Sequence, residues 1–111
     1  MARARLTAGD DLVAPDLVDV ETVAVLRKRW MAGGLSKNRF SVAIDDLEDL
    51  DLARYPALPL MRRAFELRDN VTAYDAVYVA LAERLDCPLV TADQRLAAAP
   101  GITCSVEMLP T

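Results

Sequence analysis

Short apolar runs alternate along this chain with longer stretches whose apolar positions recur every three or four residues, the pattern of strands interleaved with helices. Leu12-Val13-Ala14 predicts a short buried strand, after which Pro15 with Asp16 opens a helix to about Trp30, stopped by Gly33-Gly34. Ser36 caps a second helix in which Phe40, Ala43, Ile44, Leu47 and Leu50 recur at helical spacing. Leu50 to Tyr55 then turns extended and is bounded by proline, a second strand. A third helix fits Ala57 to Arg68 and ends at the Asp69-Asn70 turn, and a fourth runs from Thr72 to Leu85. Pro88 to Thr91 is a strand short and apolar enough to be central, Gln94 to Ala98 a short helix, and Ile102 to Val106 a closing strand after Pro100-Gly101. This alternation predicts an α/β fold: a mostly parallel sheet with right-handed crossovers, helices on both faces, and sites beyond the carboxyl ends of the strands. Internal repeats and low-complexity segments are lacking.

Length and composition narrow the picture. A chain of 111 residues predicts one domain over residues 1–111, and 53% hydrophobic content is enough to fill its core. No apolar run approaches the roughly 20 residues a bilayer demands, so no membrane partner is expected. Met1 to Thr7 carries charge and leads into Gly9-Asp10-Asp11 where a signal peptide would have its apolar core, so the expected location is cytoplasmic. Cys87 and Cys104 are too far apart for a CxxC pair and read as reduced, partly buried thiols. The absence of histidine removes Ser-His-Asp and Cys-His catalysis and nearly every zinc hydrolase site. A net charge of −4 speaks against a broad basic face for nucleic acid, so any such contact is local. The one basic run, Arg27, Lys28, Arg29, Lys37 and Arg39, reads either as a solvated helix end or as a contact for phosphate or a charged partner.

Three acids sit in apolar surroundings, and each has a plain alternative. Glu21 is flanked at helical spacing by Leu17, Val18, Ala24 and Val25, so it is either a site residue or the edge of an apolar stripe reaching water. Asp75 closes Thr72-Ala73-Tyr74-Asp75, a capping-box pattern, yet Val71, Tyr78 and Val79 surround it. Asp93 follows a strand end, and it equally suits the opening of the next helix, with Thr91 nearby as a hydroxyl cap. Clustered carboxylates repel unless a divalent cation favours their ionisation, and an all-oxygen set selects Mg²⁺ or Mn²⁺. Hydrolysis of a nucleic-acid backbone is the natural histidine-free reaction for such a set, with Thr72 and Thr91 either capping or touching phosphate and metal-bound water. A phospho-accepting receiver domain shares the sheet-edge acids but needs a late lysine, and the only lysines are Lys28 and Lys37.

Thr72-Ala73-Tyr74-Asp75-Ala76-Val77-Tyr78-Val79-Ala80-Leu81-Ala82-Glu83, followed by Cys87-Pro88-Leu89-Val90-Thr91-Ala92-Asp93, resembles the late half of a PIN domain, specifically the VapC toxins of toxin–antitoxin pairs. Leu12 to Glu21 is similar to that family's second strand and following helix. The resemblance implies a three-layer α/β/α fold and an Mg²⁺-dependent endoribonuclease in which Glu21, Asp75 and Asp93 take the places of the metal-associated acids. It also implies a VapB-type antitoxin as partner, a homodimer, and structured RNA such as tRNA or ribosomal RNA as substrate. One departure stands out: the family's first, central strand ends in an aspartate, and this sequence lacks that strand. Asp10 and Asp11 precede the Leu12–Ala14 strand and do not replace it. The expectations are that neighbouring strands close the gap, that a second chain supplies the element, or that the natural protein begins upstream. A catalytically weak or inactive PIN-like module that binds an antitoxin or dimerises is the rival function.

Overall fold

The computed structural model describes residues 4–8 and 11–109. Its elements run β1 (Ala4–Ala8), β2 (Asp11–Pro15), α1 (Val18–Met31), α2 (Lys37–Asp49), β3 (Leu52–Tyr55), a 3-10 turn (Leu58–Leu60), α3 (Met61–Glu66), α4 (Ala73–Leu85), β4 (Leu89–Thr91), α5 (Gln94–Ala97) and β5 (Val106–Met108). The fold is the α/β class expected of a PIN-like chain, divided into two compact units, a helical one over Leu17–Asp51 and a sheet unit holding the remainder of the described chain.

In the helical unit α1 packs against α2. Ser36 caps α2 as its sequence requires, its Oγ accepting from the Arg39 N–H at 3.1 Å. Asp16 does not cap α1. Leu17 holds that position without a side-chain acceptor, and the Asp16 carboxylate instead accepts from the Ala57 N–H at 3.3 Å, within the sheet unit.

The sheet runs β3-β2-β1-β4-β5. Pairing of β2 with β3 and of β4 with β5 is parallel, whereas β1 is antiparallel to both β2 and β4. The central place is thus filled from within the chain, by Ala4–Ala8, which corrects the expectation that neighbouring strands close a gap there or that a second chain supplies the element. The direction follows from connection length: register pairs Ala8 with Asp11, and so few intervening residues can reverse a chain but cannot make the crossover of a dozen or more that parallel pairing needs. Gly9-Asp10 is itself a hairpin dipeptide, and Arg5 and Thr7 alternate with Ala4, Leu6 and Ala8, so the signal was in the sequence. Asp10 lies outside the described residues, and Asp11 opens β2.

Helix α4 is the core of the sheet unit. It is apolar almost all round, its residues Ala76 to Ala82 are all buried, and it packs on β1, β2, β4 and α3. Thr72 caps it, accepting from the Asp75 N–H at 3.2 Å, and Asp86 ends it in the left-handed region with φ 52°. Two boundaries differ from the sequence reading. The helix expected over Ala57 to Arg68 is divided into a 3-10 turn, which Pro59 opens within its first turn, and α3, which ends at Glu66. The closing strand expected over Ile102 to Val106 starts only at Val106, because the Thr103 N–H and hydroxyl are both taken by Glu83 Oε2, at 2.8 and 2.7 Å. Among the described residues no helix is long and apolar enough to cross a membrane.

Candidate active site

Strand β4 carries the acid that sequence reasoning put at a sheet edge. Its residues are buried, Thr91 completely, and the chain leaves its carboxyl end to reach Asp93 two residues on. Thr91 Oγ1 accepts from the Asp93 N–H at 3.0 Å, and Asp93 Oδ1 accepts from the N–H groups of Arg95 (3.0 Å) and Leu96 (3.4 Å). Asp93 therefore caps α5, the plain alternative to a site role, and it lines an open cavity of about 750 Å³. Gln94, Arg95, Ala98, Met108 and Leu109 line the same cavity.

Asp75 lies in the first turn of α4, half-buried, with the buried Ala76 and Val77 directly after it. Thr72 is exposed, and its hydroxyl serves the cap. Glu21 is half-buried on α1 in the helical unit, while Asp75 and Asp93 belong to the sheet unit. Among the described residues no three of Asp, Glu or Cys gather as a ligand set for a metal ion. The basic run of the helical unit is exposed, with Lys28 and Arg29 in the last turn of α1, where its dipole favours them.

One ion pair of the sheet unit is structural. Arg63 donates from Nε and Nη2 to the two oxygens of Glu83, at 2.7 and 3.0 Å, and from Nη2 to the Gly101 carbonyl at 2.7 Å. Burial pushes the Glu83 carboxyl up, but hydrogen bonds from Arg63 and Thr103 outweigh it and hold the group below the usual carboxylate range. The bond to Glu83 in turn raises the Arg63 pKa. Gly101 makes this clamp possible because the turn takes φ 88°, a conformation glycine reaches without strain. Sequence reading passed over this pair, since its members are 20 residues apart and share no motif. Cys87 and Cys104 are free thiols, each pushed up by burial.

A family model for the PIN domain matches residues 1–102, which defines the class. The chain is 45% identical over 97 residues to Ribonuclease VapC1 of Mycobacterium tuberculosis (strain ATCC 25618 / H37Rv), covering 86% of this chain and 73% of that protein. It is 40% identical over 106 residues to VapC ribonuclease Mb0985 of Mycobacterium bovis (96% and 84% covered) and 35% identical over 108 residues to Ribonuclease VapC12 of M. tuberculosis (97% and 84%). The chain belongs to the PIN-domain family and, within it, to the VapC proteins.

Proposed function

We propose that this protein is an endoribonuclease, the toxin of a type II toxin–antitoxin pair, which hydrolyses RNA phosphodiester bonds with Asp75 and Asp93 as its acids. The observation that carries this reading is Asp93, fixed beyond the end of an interior strand and lining a cavity open to solvent. The ribonuclease names of the relatives supply the substrate class, with tRNA or ribosomal RNA as the form expected. Glu21 is proposed as the third acid from its place in the sequence alone.

The donors on offer are carboxylate oxygens in a chain without histidine. Mg²⁺ is commonly held by one or two carboxylates together with water and substrate phosphate, so Asp75 and Asp93 fit Mg²⁺, or Mn²⁺, as ligands. Such an ion, when bound, lowers the pKa of a water and offsets charge on the phosphodiester. The chain's own contribution is orientation. Two backbone amides hold Asp93 Oδ1, and Thr91 holds the Asp93 backbone. Of the two threonines only Thr72 has surface to offer a phosphate or a metal-bound water, since Thr91 is fully buried.

The partner we propose is a VapB-type antitoxin, together with a second copy of the chain; exposed Leu58, Met61 and Phe65 support the homodimer. Two free thiols suit a reducing compartment, the cytoplasm. A non-catalytic module that binds an antitoxin or dimerises is the second reading. It is favoured by β1, Ala4-Arg5-Leu6-Thr7-Ala8, which fills the central place without an aspartate.

Incubation of the purified chain with total tRNA and ribosomal RNA separates the two. The expected result is cleavage in Mg²⁺ or Mn²⁺, none in EDTA, and a loss of about 100-fold or more in Asp75→Asn. Cleavage that survives EDTA or the Asn variant overturns the metal-and-acid mechanism, and antitoxin binding with no cleavage establishes the second reading.

A further inference from the structure

We propose that the cavity beside Asp93 is a nucleotide subsite, in which Arg95 binds an RNA phosphate next to the scissile bond and the floor of Met108 and Leu109 takes its unstacked base. The inference rests on the ribonuclease reading and extends it to substrate recognition. Its starting point is Arg95, which is exposed and lines the same cavity as Asp93, and with whose guanidinium no carboxylate among the described residues pairs. Asp93 Oδ1 is turned instead to the backbone N–H groups of Arg95 and Leu96, which fixes the Arg95 backbone while leaving its side chain to the cavity. A planar guanidinium matches the oxygens of a phosphate in a bidentate bond.

Charge across the whole molecule gives the contact weight. With a net charge of −4 the protein has no general attraction for RNA, so phosphate must be gripped at particular points, and a cation beside the proposed acid is the most useful one. The rest of the cavity suits a base. Met108, 43% exposed, and Leu109 offer polarizable and apolar surface for a splayed nucleobase, and the Gln94 amide brings donors and an acceptor for a base edge. A volume of about 750 Å³ lies within the range of about 300–1,000 Å³ of small-ligand pockets.

The test measures binding apart from cleavage. Fluorescein-labelled single-stranded RNA of mixed sequence, about ten nucleotides long, is titrated with the full chain in EDTA at several salt concentrations and followed by anisotropy. Arg95→Ala is expected to bind about five- to tenfold more weakly and to lose about 0.7 from the log–log salt slope, the value of one phosphate contact on a single strand. Arg95→Lys restores the slope and part of the affinity, which a merely structural arginine would not do. Met108→Ala weakens binding with the salt slope unchanged. Circular dichroism confirms that each variant is folded. If Arg95→Ala binds as wild type does while Asp75→Asn still abolishes cleavage, the subsite is overturned and the ribonuclease reading stands. If the wild-type chain neither binds nor cleaves RNA, both are overturned.

Discussion

A carboxylate that accepts from two backbone amides is held in one orientation, and Asp93, the cap of α5, is also the acid proposed for RNA cleavage. The two roles are separable by substitution. Asparagine caps helices about as well as aspartate but carries no charge, so Asp93→Asn is expected to leave thermal stability nearly unchanged and to lower RNA cleavage by about 100-fold or more. Asp93→Ala loses the cap as well, at about 1 kcal/mol in a denaturant titration. An Asn variant with full activity would reduce Asp93 to its cap. Asp86 offers a second single-residue experiment. It occupies the left-handed region at φ 52° and sets a negative charge at the carboxyl end of α4, unfavourable on both counts. Asp86→Gly is expected to stabilise the fold by about 0.5–1 kcal/mol, read as a rise in the urea midpoint at constant slope.

Between elements, the Arg63–Glu83 pair ties α3 and α4 to the loop that leads into β5. Glu83 gathers donors from Arg63 and from both the N–H and the hydroxyl of Thr103, and its side chain is only 13% exposed. Removing its charge leaves a partly buried guanidinium short of a partner, so Glu83→Gln is expected to destabilise by about 1–3 kcal/mol. Because folding lowers the Glu83 pKa from the ordinary 4.5, the clamp contributes fully above that value and is lost as pH falls through the lower folded value. Urea titrations at neutral pH and near pH 3 follow this directly. The gap between wild type and Glu83→Gln should shrink in acid, and a gap constant with pH would contradict the ionised clamp.

For the molecule as a whole, Leu58 (81% exposed), Met61 and Phe65 leave apolar surface where α3 begins and runs, with the Arg62 and Arg68 guanidinium carbons 5.7 and 4.1 Å from the Phe65 ring centroid. In sedimentation velocity Phe65→Glu is expected to shift a dimer to monomer, and an unchanged dimer would exclude this face as the interface. The local rules of the chain were already written in its sequence. Ser36 and Thr72 cap the helices assigned to them, β2 and β4 fall on the apolar runs around Val13 and Val90, and Asp93 stands beyond a strand end. Caps and periodicity depend on residues a few positions apart, and that is why they can be read in one dimension. Only the tertiary structure decided that β1 also pairs with the distant β4 and so takes the centre of the sheet, that Thr103 serves Glu83 and so delays β5, and that Arg95 shares a cavity with Met108. Each of these depends on which distant segment supplies the hydrogen-bond or packing partner, a choice made by sheet register and chain closure and carried by no local propensity.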